Sequence, residues 1–461
     1  MVRAARGGAS EEHLTGDTER ADVAIVGAGA AGLMAAIWAG RAARARRIVL
    51  LDGARTLGAK ILVAGGGRCN VTHDVVDEAA FAGSSPHAIR KVLLRFDVER
   101  TVAFFRELGV ELKREETGKL FPTTDRARTV LDALLAAARE AGVEMRSPWR
   151  VERVERVERV GRDESDPRGD RAGDRFALIG RREGRGSARG SSLGAAVLEA
   201  REVILATGGK SLPKSGSDGH GYAIAQSLGH SLTPRLWPAL VPLLLPRGSF
   251  FLELSGVSFP ATLELRSGSG RRLAAFTGST LCTHFGLSGP APLDISRFVI
   301  DARADDAGAR LSMNVLPGET AGSLEEKLIA LGAGTVGGFL GDRMPVRLAR
   351  ALCAEARVDP GVFGHRLTRD ERRRVAAVVT DLVVPVAGDR GFGFAEATAG
   401  GVPLRELRLE TMASRVCPGL SLCGEICDVD GRIGGYNFQW AWSSGYVAGL
   451  SAGESRSETA S

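Results

Sequence analysis

Gly27, Gly29 and Gly32 form a G-x-G-x-x-G triplet, and an acid, Asp52, follows the last of them by twenty residues. Residues of these types at this spacing bind a dinucleotide. Gly27 permits a tight turn, Gly29 lets the backbone approach a pyrophosphate, and Gly32 lets a helix pack closely on a strand. Ala28 and Ala31 lie between them and belong to the same expected contact set. The carboxylate of Asp52 is placed to accept hydrogen bonds from ribose hydroxyls. The elements that must position these groups are a strand over residues 23–26, a helix opening after Gly29, and a second strand over residues 47–51. The helix points its unsatisfied N–H groups and positive dipole end at the phosphates.

More glycine clusters lie far along the chain. Gly65, Gly66 and Gly67 precede Arg68, Cys69 and Asn70. A buried-type strand over 203–206 ends in Ala206, Thr207, Gly208 and Gly209, with Asp218 and Gly219 close behind. Another strand, 420–423, runs into Gly424, Glu425 and Asp428, then Gly434, Gly435, Tyr436, Asn437 and Gln439, where a helix begins. There is one dinucleotide fingerprint, so a long cofactor threaded through distant segments suits FAD better than NAD.

Composition narrows the function class. The 461 residues include 60 glycines, nearly twice the usual share of about 7%, and they cluster without a three-residue period. The formal net charge is +6, with 61 Lys and Arg of which seven are Lys, many of the Arg lying in low-complexity stretches. Spread over this length, with few aromatics, the charge argues against a nucleic-acid partner. Six cysteines without CxxC or Cys/His spacing indicate neither zinc nor a dithiol, and free thiols fit the cytoplasm. Residues 21–40 have the length of a membrane span but divide into strand, glycine turn and helix, so no membrane segment is expected. The leader 1–20 lacks an apolar signal core.

Four stretches together resemble the HI0933-like flavoproteins, also called the BaiN or YhiN family or aminoacetone-oxidase-family FAD-binding enzymes. They are GAKILVAGGGRCNVT (58–72), ATGGKSLPKSGSDGHGYAIA (206–225), THFGLSGPAPLDIS (283–296) and the run from Thr411 to Gly449 containing CDVDGRIGGYNFQ. The resemblance implies an α/β fold: a Rossmann-type, glutathione-reductase-like FAD-binding domain interrupted by a β-barrel-like domain and a small helical domain. The implied boundaries are 21–238 and 396–451 for the FAD-binding part, 239–316 and 379–395 for the barrel-like part, and 317–378 for the helices, with 452–461 as a disordered tail. Asp52 departs from the usual Glu, and His73 from a common Asn. VERVERVERV (151–160) has a period of three that suits neither helix nor strand; with the two Arg-rich runs after it, it reads as solvated hairpin insertions.

The implied activity is FAD-dependent oxidoreduction of a small organic substrate, with NAD(P)H-dependent reduction of a conjugated carbonyl as its first form. An oxygen-using amine oxidase and a flavin-carrying RNA-modifying or RNA-binding protein remain as alternatives. Arg68 and Asn70 are read as donors to phosphate, ribityl or flavin oxygens. Asn437 and Gln439 are read as direct flavin contacts, and Asp218, Glu425 and Asp428 as ribityl partners or loop-ordering groups. Lys60 either faces the flavin or caps a helix. Cys69, a lone thiol in the flavin loop, reads as inert rather than redox-active. His284 leads as general acid, with a structural role anchoring the barrel as its rival; His220 and Tyr436 follow.

Overall fold

Residues 23–26 and 48–51 are uncharged, aliphatic and β-branched, the composition of strands covered on both faces, and all eight are buried. They sit at the centre of a parallel sheet. The computed structural model describes residues 19–157, 175–182 and 194–454. In its first half the chain forms β1 (Glu19–Val26), α1 (Ala30–Ala42), β2 (Ile48–Leu51), α2 (Ala59–Gly67), α3 (Ala127–Glu140), β3 (Glu144–Arg146), β4 (Trp149–Val157), β5 (Arg175–Arg182) and β6 (Gly194–Leu205). Strands β3, β2, β1 and β6 pair in parallel in that order, and Leu420–Leu422 adds to the far side of β6. This is a doubly wound α/β arrangement of the expected Rossmann type.

The three-residue period in VERVERVERV has a structural reason. Its residues up to Val157 form β4, which pairs antiparallel with β5, and the register slips between Val151 and Arg153. That bulge inserts one residue, so Val151 and Val154 both point into the core although an unbroken strand would turn them to opposite faces. The segment is thus part of the main sheet, not a solvated insertion, up to Val157. The two Arg-rich connections, 158–174 and 183–193, lie outside the described residues, as do 1–18 and 455–461. β1 already begins at Glu19, inside the expected leader.

The second half builds a separate core. β7 (Ser258–Arg266), β8 (Arg272–Cys282), α4 (Pro290–Asp305) and β9 (Arg310–Asn314) precede a run of helices that includes α5 (Ala321–Ile329), α6 (Val346–Glu355) and α7 (Arg369–Thr380). The sheet has seven strands, with β9, β7 and β8 as antiparallel neighbours. Helix α7 starts on a capping box: Glu371 N–H donates to Thr368 Oγ1 at 3.3 Å and Thr368 N–H to Glu371 Oε2 at 2.9 Å. Its core comprises buried residues between Leu243 and Val384, distinct from the cluster of 21–225 and 402–452. A small third cluster, Ala239, Leu240, Leu293, Ala397 and Ala399, lies apart from both.

The chain then returns to the first core through β10 (Ala397–Ala399), β11 (Leu420–Leu422) and α8 (Tyr436–Glu454). Helix α8 lies against α1, and the contact is backbone-close. A Cβ on Gly445 would stand 2.5 Å from the Ala31 carbonyl oxygen, and one on Gly449 2.2 Å from that of Ala35. Gly453 continues the same stripe against Ala39 and Ala42. Among the described residues no helix is long and apolar enough to cross a membrane.

Candidate active site

The loop from β1 to α1 is shaped as its glycines require. Gly27 has φ +102°, and a Cβ there would meet the Ala206 carbonyl oxygen at 2.4 Å; a Cβ on Gly32 would meet the Gly27 oxygen at 1.8 Å. Gly29 is the opposite case, with nothing within 4 Å of its missing Cβ. It lines a continuous cavity of about 1300 Å³, larger than the roughly 300–1,000 Å³ of an ordinary small-molecule site. No side chain caps the first turn of α1, which Gly29 and Ala31 present to the cavity. Such a turn offers free N–H groups to an anion.

Asp52 follows β2 and is mostly occupied with its own backbone. Its Oδ2 accepts from Ala28 N–H at 2.6 Å and its Oδ1 from Ala54 N–H at 2.7 Å. Burial raises its pKa, and these two bonds oppose the shift. Asp52 therefore ties the glycine turn to the end of β2 while lining the cavity. Nearby, Trp149, Arg150 and Val151 of β4 also line it, and Arg150 Nη2 donates to Asp218 Oδ2 at 2.7 Å.

The second glycine cluster breaks α2. Ala64 leaves the helical region, and Gly65 and Gly66 take φ of 57° and 68°. Gly66, Arg68 and Asn70 line the cavity. Asn70 is buried and its Oδ1 has no hydrogen-bond partner. Arg68 is engaged elsewhere: Nη1 donates to Glu115 Oε1 at 2.7 Å and the guanidinium lies 4.0 Å from the Phe121 ring centre. Lys60 resolves toward the site, donating from Nζ to Glu425 Oε2 and to Ser211 Oγ, both at 2.5 Å. This pair ties α2 to the late glycine segment and compensates the Glu425 charge. Ala206, Thr207, Gly208, Gly424, Gly434, Gly435 and Asn437 complete the expected residues that line the cavity.

Other expected contacts support the site from outside it. Gln439 is buried; its side chain accepts from Thr72 Oγ1 at 2.7 Å and Thr101 Oγ1 at 3.0 Å and donates to the Phe96 carbonyl at 2.8 Å. Two residues along a helix turn a side chain to the other side, so Asn437 reaches the cavity and Gln439 does not. Asn437 in turn brackets Gly431, accepting from its N–H at 2.8 Å and donating to its carbonyl at 2.9 Å. Asp428 accepts from Ser84 Oγ at 3.2 Å, and Tyr436 stacks on His73 with ring centres 4.9 Å apart. Cys69 is fully buried and its thiol is pushed up to about 12 by burial, so it stays protonated. Ala28, Gly32, Gly67, Gly209 and Gly219 shape the turns without lining the cavity.

His284 is exposed in the turn between Thr283 and Gly286, where the carbonyl of Gly286 accepts from Thr283 Oγ1 at 2.9 Å. It does not line the cavity. His220 does, at the start of the helix His220–Ser227, but its Nε2 is held by the Glu152 carbonyl at 2.7 Å. Sequence reasoning passed over Ser217, Lys119, Phe121, Glu396 and Arg432, all in the lining. Ser217 and Arg432 stood inside quoted motifs; the others carry no local signature.

The residues fit FAD. The cavity is long enough to run from β4 past the α1 turn to the α8 start, and glycines leave open space along it at 29 and 66. Four of its polar atoms, Asn70 Oδ1, Trp149 Nε1, Thr207 Oγ1 and Ser217 Oγ, are buried without a protein partner, as atoms awaiting a ligand would be. Gly29, Ala31 and the α1 turn would hold the pyrophosphate, Asp52 and Trp149 border the β4 end, and Asn70, Gly434 and Gly435 border the end near α8.

A family profile described as the HI0933-like protein Rossmann domain matches residues 21–166 and 181–451. The chain belongs to the HI0933-like family. It is 31% identical to the 3-dehydro-bile acid delta(4,6)-reductase of Clostridium scindens, over 94% of this chain and 99% of that one. It is 32% identical to the ribosomal RNA dihydrouridine synthase of Escherichia coli, over 93% of this chain and 97% of that one. Among solved structures it is similar in fold to the 3-ketosteroid delta1-dehydrogenase of Sterolibacterium denitrificans, with TM-score 0.51 and 13% identity over 95% of this chain and 100% of that one. By family, fold and fitted cavity, it is an FAD-dependent oxidoreductase.

Proposed function

We propose that the chain reduces a carbon–carbon double bond conjugated to a carbonyl, with FAD bound in the cavity and NAD(P)H as electron donor. One observation carries this reading. Two relatives of nearly equal identity, each aligned over almost the whole chain, are named for unlike substrates, a bile acid and ribosomal RNA. A 3-oxo steroid with unsaturation at carbon 4 and the uracil ring of uridine share one feature, an alkene conjugated to a carbonyl. The same bond change serves both, so the reaction class carries over more safely than either substrate.

The flavin supplies hydride chemistry when bound; the chain binds, orients and excludes water. The α1 turn holds negative charge through its free N–H groups. The Lys60–Glu425 pair and Ser211 keep α2 against the late glycine segment. Residues 21–238 and 396–451 are assigned to cofactor binding, with the barrel-like parts, 239–316 and 379–395, and the helices 317–378 beside it. All six cysteines are free, which supports a cytoplasmic setting.

A small molecule is the first substrate reading, since the cavity is deep and its lining largely apolar. The Escherichia coli relative motivates the second, a uridine in RNA. The deciding experiment is anaerobic: reduce the purified yellow protein with NADH and NADPH separately, then add 2-cyclohexen-1-one, a 3-oxo-4-ene steroid or a uridine-containing ribosomal RNA transcript. Reoxidation by one of the three is expected. A folded protein that binds no FAD overturns the cofactor, and reduced protein reoxidised by oxygen but by no conjugated carbonyl overturns the reaction class.

A further inference from the structure

Charged groups lining the cavity are mostly paired: Asp52 with backbone N–H groups, Lys60 with Glu425, Arg68 with Glu115, Arg150 with Asp218, and Arg432 with Asp294. Three carry no such partner, Lys214 on the turn Pro213–Ser215, Glu396 and Lys119, and the last two act on one another. Both line the cavity, and neither forms a hydrogen bond or ion pair through its side chain with any described residue. Glu396 begins the return to the first core, one residue before β10, and its neighbours Ala395 and Ala397 are fully buried. Its own side chain is accessible. It lines the cavity, and burial raises its pKa even against the nearby Lys119 and Lys60 ammonium groups. A backbone held between buried neighbours thus presents a free carboxyl, near a free ammonium, to the cavity that would take the cofactor.

We propose that Glu396 is the acid that delivers the substrate's proton and that Lys119 holds the substrate's carbonyl oxygen. This rests on the reaction class proposed above and names the residues that complete it. The reductant is the reduced flavin. Hydride, with its two electrons, bonds to the β-carbon; the alkene π bond breaks and its electron pair moves toward the carbonyl oxygen, where the Lys119 ammonium stabilises it. The O–H bond of Glu396 breaks and its proton bonds to the α-carbon, leaving a carboxylate that water reprotonates. The flavin is oxidised by two electrons and the alkene reduced by two. Burial suits Glu396 to this work, since an acid raised from its ordinary value keeps its proton nearer neutral pH.

The test compares wild type with Glu396→Gln and Lys119→Met, all loaded with FAD. Reduced Glu396→Gln should be reoxidised by 2-cyclohexen-1-one or uridine 5′-monophosphate roughly 10²–10⁴-fold more slowly than wild type. Reoxidation by ferricyanide, which protonates no carbon, should be unchanged. Lys119→Met should raise the enone concentration needed for half-maximal rate. An equal loss with ferricyanide, or no loss with either carbonyl probe, overturns the assignment.

A second readout needs no turnover: the midpoint potential of the bound flavin followed against pH. Groups acting on Glu396 are Lys119, Lys60 and Asp294, and Glu425 and Arg432 share its cavity. Only the Glu396 titration disappears in Glu396→Gln, so the wild-type curve should bend where the variant's does not. Superposed curves overturn the role of Glu396. Separated curves, with reduced wild type that no conjugated carbonyl reoxidises, overturn the reaction class instead.

Discussion

Two glycines three positions apart have opposite duties. A methyl group on Gly32 would strike the Gly27 carbonyl oxygen at 1.8 Å, whereas one on Gly29 projects into open cavity. Gly32→Ala should therefore destabilise the protein itself, by about 1–3 kcal/mol as overpacking does. Gly29→Ala should leave the apoprotein's denaturation midpoint unchanged yet weaken FAD binding at least about tenfold, the effect of roughly 1.4 kcal/mol lost at the pyrophosphate approach. Urea unfolding of the apoproteins and flavin titration separate the two. Equal stability loss in both variants would show that Gly29 serves the fold and not the ligand. Asp52 carries a similar lesson, because its two oxygens hold Ala28 and Ala54 whether or not a ribose is present.

Helices α1 and α8 meet along small residues: Ala31 and Ala35 face Gly445 and Gly449, each pair one turn further along. This spacing puts the late cofactor-lining segment, at the start of α8, directly over the fingerprint helix. Gly449→Ala places a Cβ 2.2 Å from the Ala35 carbonyl oxygen, so the helices must part. We expect a loss of about 1–3 kcal/mol in stability together with weaker flavin retention, read by thermal unfolding and by absorbance after desalting. Unchanged values for both would mean that the α1–α8 contact is looser than described. At the same scale, the β4 bulge explains how a three-residue repeat forms a strand with one buried face: one inserted residue reconciles Val151 and Val154 with a single face.

Across the whole molecule, the two large cores are joined by ion pairs from α4. Arg297 Nη1 donates to Asp430 Oδ1 at 2.9 Å, and Asp294 accepts from Ile433 N–H at 2.7 Å and from Arg432 Nε at 3.2 Å. Asp430 is buried, and burial pushes its carboxyl up to about 6 although Arg297 opposes the shift. A raised carboxyl favours the folded state while it is protonated. Its contribution is present below the ordinary value of 3.8 and is lost as pH rises through about 6. Wild-type stability relative to Asp430→Asn should thus decline between about pH 4 and pH 6 and level off above. Urea denaturation across that range checks it; a difference that grows with pH would mean that Arg297 holds Asp430 ionised.

The cofactor half of this protein was legible in the sequence because its demands are local. A turn that needs φ above zero selects Gly27, a close approach selects Gly32, and an open one selects Gly29, so each position declares itself by residue type. The strands around them announce themselves by unbroken aliphatic runs. Other assignments failed or stayed hidden for a nonlocal reason. His284 has the right chemistry but sits exposed outside the cavity, and Gln439 is turned into a buried network by the helix that carries Asn437 toward the site. The small residues of α8, Gly445, Gly449 and Gly453, take their meaning from the helix that lies against them. Glu396 is one acid in a run of small residues, without a motif. Sequence alone determined the dinucleotide fold and the family, since both rest on backbone conformations that few residues can adopt. Only the tertiary structure decided which charges find partners and which stay free in the cavity, because pairing joins residues hundreds of positions apart.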